Sequence, residues 1–175
     1  IDFWYLKQYF SGHVSLFQYY QKIFVKEFGK YCTGDVIEIG ANKLYKFDQY
    51  FPNANKYQMT NIEGDYDMLL DATNMMTISD NSIDAIICTS VLEHIFEYNK
   101  AMSEIERILK PGGKLLLVIP YGFPIHDTVD YWRFGADYFY KRLDNYKLHS
   151  LTSLGGKLST IVNAFQRPCG KLTKR

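Results

Sequence analysis

The chain has 175 residues, 47% of them hydrophobic and 22% charged, which suits one domain with a core large enough to fold unaided. Twenty Lys and Arg stand against 19 Asp and Glu, a formal charge of +1, so no electrostatic footprint argues for nucleic acid as a partner. No apolar run approaches the ~18–20 residues that a membrane-spanning helix needs, and the three separated cysteines, Cys32, Cys88 and Cys169, fit neither a zinc site nor a disulfide framework.

No metal is expected from this, no signal peptide is recognisable, and the default expectation is a reduced, cytoplasmic setting. The first 31 residues hold 11 aromatics. Phe3, Leu6, Phe10, Val14, Phe17, Tyr20, Phe24 and Phe28 recur at steps of three and four, the spacing of one or two amphipathic helices broken near Ser11-Gly12. Residues 1–31 therefore read as an aromatic N-terminal unit, and 32–175 as the main domain. Strand-like runs follow at 35–40 (DVIEIG), 56–61 (KYQMTN), 66–72 (YDMLLDA), 82–89 (SIDAIICT), 114–120 (KLLLVIP) and 146–151 (YKLHSL). The first, fourth and fifth are nearly continuous apolar runs, as parallel strands covered on both faces read. Between the fourth and fifth, Ala101, Met102, Ile105, Ile108 and Leu109 give one apolar helix face over 99–109, and Pro111-Gly112-Gly113 stops that helix. A last helix is expected over 158–165. The alternation predicts an α/β, doubly wound, mostly parallel sheet with right-handed crossovers.

In such a sheet ligands bind beyond the carboxyl ends of the strands. The residues there are Gly40, Ala41 and Asn42 after the first strand, and Asn61, Ile62 and Glu63 after the second. Asp71 and Ala72 follow the third, Thr89, Ser90, Glu93 and His94 the fourth. Tyr121, His126, Asp127, Asp130, Tyr131, Trp132 and Arg133 follow the fifth. Asn61 and Glu63 stand 21 and 23 residues beyond Gly40, near the spacing of a ribose-binding side chain in a dinucleotide fold. Taken alone, a single glycine after a strand reads as a turn.

Two longer stretches, LLDATNMMTISDNSIDAIICTSVLEHI and AMSEIERILKPGGKLLLVIP, resemble the class I S-adenosylmethionine-dependent methyltransferases, through Val91-Leu92-Glu93-His94 and Leu109-Lys110-Pro111-Gly112-Gly113. The continuation PYGFPIHDTVDYWRF (120–134) is similar to a small-molecule subgroup with a PIH…DYWRF loop. The resemblance covers about residues 34–156 and implies a Rossmann-like fold. No run qualifies as the family's usual antiparallel seventh strand, which leaves either a chain that ends before it or an unusual sheet edge. The resemblance further implies S-adenosylmethionine as cofactor and S-adenosylhomocysteine as product. Glu38 would face the methionine end, Gly40, Ala41 and Asn42 would pass beneath the cofactor, and Asn61 would take the place of an acidic ribose ligand, with Ile62 and Glu63 beside it. Asp71 and Ala72 would meet adenine, and Thr89 and Ser90 the sulfonium region. The family's glycine-rich loop is reduced to GANKL, in which Asn42, tolerant of left-handed backbone, stands in for the middle glycine.

Methyl transfer from a sulfonium is an in-line displacement in which the protein aligns the partners and excludes water. A hydroxyl acceptor gains from a base, and His126 is the candidate because an ordinary imidazole titrates near neutrality. His94, Tyr121, Asp130, Tyr131, Trp132 and Arg133 are candidate acceptor ligands, with core packing or an internal ion pair as the competing roles. The expected function is methylation of a small molecule, on an oxygen of a sugar or other metabolite. The alternative is a catalytically inactive relative that binds a partner. The N-terminal helices would form a lid or a homodimer face.

Overall fold

The computed structural model describes residues 15–122, 129–148 and 150–154. Helix α1 (Leu16–Gly29) starts at a reciprocal cap. Ser15 Oγ accepts from the Gln18 backbone at 3.2 Å, and Gln18 Oε1 accepts from the Ser15 backbone at 2.7 Å, which satisfies donors the first turn leaves open. Five strands follow: β1 (Gly34–Ile39), β2 (Ala54–Asn61), β3 (Met68–Leu69), β4 (Ile83–Thr89) and β5 (Leu109–Val118). Helix α2 (Tyr98–Ile108) precedes β5 and helix α3 (Ala136–Arg142) comes after it. The sheet has the order β3-β2-β1-β4-β5, and every pairing is parallel.

Side chains alternate across the pleat. Ile37, Ile39, Ile86 and Cys88 join Ala101, Met102, Ile105 and Ile108 of α2 in one core. Val36, Ala85, Ile87 and Leu116 join Val25, Cys32, Phe47 and Phe51 in the other, on the face that α1 covers. Burial of β1 and β4 from both sides explains their unbroken apolar runs. The doubly wound parallel sheet read from the sequence is the fold observed.

Several boundaries differ. β3 shrinks to two residues because Asp67 folds back: its backbone N–H and its carboxylate both bond Met59 of β2, at 3.0 and 2.8 Å. β5 begins directly at the end of α2 rather than at Lys114. Leu109 pairs with Ile83 and Lys114 with Ala85, so Lys110–Gly113 bulge outward. Pro111 has no N–H to give the ladder, and Gly112 takes a φ of +79°, so the segment bulges without ending the strand. Residues 146–148, 150 and 151 form no strand, and among the described residues there is neither a sixth strand nor a seventh. In their place the chain forms α3, held to α2 by a bidentate pair from Arg142 to Glu106. His126 and the expected helix over 158–165 lie outside the described residues.

Candidate functional site

Because all five strands run the same way, their carboxyl ends share one edge. The two sides of the sheet diverge between β1 and β4, and there the two exit loops touch. Gly40 has a φ of +67°, and a Cβ built on it would lie 2.3 Å from Val91 Cγ2. Glycine is required there twice over, by backbone conformation and by the valine packed against it. Ser90, next to Val91, also carries positive φ at 55°. Its backbone donates to Val118 O at 2.8 Å, and its buried Oγ has no hydrogen-bond partner.

The loop after β1 dispenses with further glycine by an Asx turn. Asn42 Oδ1 accepts from the Leu44 backbone at 3.0 Å, and the Asn42 carbonyl accepts from Tyr45 N at 2.9 Å. The left-handed residue falls on Lys46, with φ 50°, and not on Asn42 as the sequence suggested. Strand β2 holds this loop from beneath. Thr60 Oγ1 donates to the Glu38 carbonyl at 2.9 Å, Ala41 N donates to Thr60 O at 2.8 Å, and Asn61 Nδ2 donates to Ala41 O at 3.0 Å. The other end of the Asn61 amide accepts from Ile62 N at 2.7 Å. Asn61 therefore ties two exit loops together, while Ile62 and Glu63 beyond it are exposed.

Glu38 is 2% exposed. Its pleat position places it on the α1 side of the sheet, where Tyr57 Oη donates to Oε2 at 2.6 Å. Burial pushes its carboxyl up to about 7, opposed by the Tyr57 hydrogen bond; Asp48 nearby pushes the same way as burial, and the Asn42 backbone N–H weakly favours the ionised form. Asp71 caps its own turn, with Oδ1 accepting from the Thr73 backbone and hydroxyl at 2.8 and 2.7 Å, while Ala72 is buried beside it. Thr89 is buried at the end of β4.

On the β4–β5 side the chain after β5 is latched to a 3-10 turn, Leu92–His94. The Glu93 carbonyl accepts from Tyr131 N at 2.7 Å and Trp132 N at 3.2 Å. Trp132 Nε1 donates to Ile95 O at 3.0 Å, and His94 Nδ1 contacts Val129 O. Arg133 grips Asp130 with both terminal nitrogens, Nη2 to Oδ2 at 2.7 Å, and the Asp130 side chain is only 1% exposed. Glu93 is 0% exposed and its carboxyl oxygens lack hydrogen-bond partners, with His94 Nε2 at 3.6 Å. Burial raises its pKa, against the pull of its own backbone N–H and of His94. Tyr131 projects outward and meets the exposed ring of Phe96 edge-on, centroids 5.4 Å apart, while Trp132 packs on Tyr98 at 5.1 Å. Tyr121 is exposed at the end of β5.

Of the predicted residues that are described, all but Glu38, which is buried within β1, lie along one edge in two groups, one at the exits of β1 to β3 and one at the exits of β4 and β5. The sequence reading missed Tyr57, Val91 and Phe96. Of these only Val91 had a visible signal, its place inside the VLEH stretch.

A family model described as a methyltransferase domain matches residues 30–117. A ubiquinone/menaquinone biosynthesis C-methyltransferase of Hydrogenovibrio crunogenus is 30% identical over 55% of this chain and 36% of its own length. The chain spans less than half the length of the curated relatives it matches. Among solved structures, a SAM-dependent methyltransferase from Archaeoglobus fulgidus superposes with a TM-score of 0.59 at 13% identity, covering 94% of this chain and 91% of that one. The YcgJ protein of Bacillus superposes with a TM-score of 0.58 at 17% identity, covering 70% and 67%.

Proposed function

The chain belongs to the class I S-adenosylmethionine-dependent methyltransferase family, and we propose that it transfers a methyl group to a small-molecule acceptor, an oxygen of a sugar or other metabolite, a choice of acceptor that rests on the PYGFPIHDTVDYWRF stretch. The residues at the edge fit the family's cofactor. The observation that carries the reading is the junction of Gly40 and Val91 with the unpartnered, buried Ser90 Oγ beside it, a polar atom whose hydrogen bond is left to a ligand.

S-adenosylmethionine supplies the methyl group already activated on a sulfonium. Glu38, Gly40, Ala41 and Asn42 form the floor beneath its methionine end, and Thr89 and Ser90 flank the sulfur. Asn61 has both ends of its amide engaged by the backbone, so the exposed Glu63 carboxylate is the group available to ribose hydroxyls, with Ile62 against the adenine face and Asp71 and Ala72 at its edge. On the other side, Tyr121, Tyr131 and Trp132 line the acceptor position, and His94 with the Asp130–Arg133 pair fixes the loop that carries them. His126 is the base that removes the acceptor proton. Helix α1 packs on the sheet through Val25, and residues 1–14, the rest of the N-terminal unit, lie outside the described residues.

Calorimetric titration with S-adenosylhomocysteine tests the cofactor half of this reading, and micromolar binding is expected. Mass spectrometry of acceptors incubated with the cofactor tests transfer, and His126→Ala should lower turnover about 100-fold with unchanged cofactor affinity. The engagement of Asn61 favours one second reading, a non-catalytic subunit that binds a partner. Turnover on any acceptor removes it.

A further inference from the structure

Tyr57 sits in the middle of β2, away from the edge where the ligands are placed, and no role in the reaction has been given to it. Its hydroxyl is nonetheless committed to one acceptor, the buried carboxylate of Glu38, at 2.6 Å. Glu38 lies two residues before Gly40, and its carbonyl is held in turn by Thr60 Oγ1 of the same strand. Two further bonds, from Ala41 N to Thr60 O and from Asn61 Nδ2 to Ala41 O, complete a row along β2 that fixes the start of the loop after β1. The loop keeps only one glycine, Gly40. It holds its course through β2, and Tyr57 is the member of the row that reaches the one ionisable group.

We propose that Tyr57 is a positioning residue for the cofactor loop: by donating to Glu38 it holds that side chain, and with it the segment from Gly40 to Tyr45, in place for S-adenosylmethionine. The proposal rests on the cofactor reading above. An ionised Glu38 accepts a charge-assisted bond from Tyr57 and attracts the Asn42 N–H, whereas a protonated one gives up that attraction. The groups facing the pair are known from each neighbouring element. Asp48 comes from the 3-10 turn Phe47–Tyr50, Cys32 from the turn between α1 and β1, and Lys114 of β5 stands beyond Cys32. Burial keeps Cys32 neutral, at about 11, and burial with the Glu38 charge holds the Tyr57 phenol well above its usual range, so Tyr57 is a donor at every pH of interest.

The consequence separates this role from simple packing. Ionisation of buried Glu38 lowers fold stability but tightens the loop, so cofactor affinity and stability change in opposite directions as pH rises through about 7. Isothermal titration with S-adenosylhomocysteine from pH 6 to 9 should show affinity rising about tenfold in the wild type. In Tyr57→Phe the midpoint should move up by about one pH unit, with ligand titration cancelling in the comparison. Glu38→Gln should flatten the profile. Amide exchange in the ligand-free protein at pH 7.5 should be faster at Ala41 and Asn42 in Tyr57→Phe than in the wild type. An unmoved midpoint, or unchanged exchange at those amides, overturns the role of Tyr57. Absence of binding by the wild type at every pH overturns the cofactor reading itself and the proposal with it.

Discussion

Gly40 and Val91 lock the exits of β1 and β4 together, with only 2.3 Å between Val91 Cγ2 and the place a Cβ on Gly40 would occupy. Gly40→Ala meets both that contact and a φ of +67°. It should cost about 1–3 kcal/mol in denaturant unfolding and weaken S-adenosylhomocysteine binding at least tenfold. Val91→Ala in the same chain should restore the part due to the contact and leave the backbone part, a split that a double-mutant cycle reads directly.

Stability should fall as pH rises through neutrality. Glu38 is raised from the ordinary 4.5 to about 7 by burial, and Glu93 is raised for the same first cause. A group raised in the fold holds a proton that the unfolded chain has released, so its contribution is fully present below about pH 4.5 and lost as pH passes 7. The paired carboxylates Asp84 and Glu104 are shifted the other way by Lys110 and Arg107, which matters only in acid. Urea midpoints should therefore be lower at pH 8.5 than at pH 6, and Glu38→Gln should exceed the wild type at pH 8.5 by on the order of 1–3 kcal/mol.

Asp130 carries a buried charge gripped at both oxygens by Arg133. Arg133→Ala strands that charge and should cost about 3 kcal/mol. Adding Asp130→Asn should recover a part of the loss. The loop that carries Tyr131 and Trp132 is fastened at this point, so KM for the acceptor should rise in the single variant while cofactor affinity stays level.

Asp71 spends one carboxyl oxygen on Thr73, which leaves the second for the adenine amine in the proposed site. Asp71→Ala should lose about 1 kcal/mol of stability from the turn and weaken S-adenosylhomocysteine about tenfold. Asp71→Asn keeps the cap through its amide oxygen, so it should retain stability while weakening binding. Paired unfolding and calorimetry separate the two effects.

The first five strands and the two-sided burial were legible because periodicity reports burial directly. Ile37, Ile86 and Ile87 sit in runs with no polar alternation, and such runs are what a doubly covered strand requires. The rim was legible too, since a parallel sheet sends every carboxyl end to one edge. What escaped was decided by contacts across the fold. Tyr57 reads as one more aromatic in a strand until its distance to Glu38 is known. Pro111-Gly112-Gly113 reads as a stop, yet pairing on either side turns it into a bulge. Helix α3 is seven residues long, too short for a periodic signal, and the ion pair from Arg142 to Glu106 fastens it.

The pairing of Val36 with Ala85 spans about fifty residues and has a consequence for synthesis. Loop closure over that distance is slow compared with forming a helix, and the junction of Gly40 with Val91 has no counterpart until β4 has left the ribosome. The first half of the nascent chain therefore carries an apolar β1 with one face and one neighbour missing. Refolding should therefore wait on the pairing of β1 with β4 rather than on the helices, which form locally.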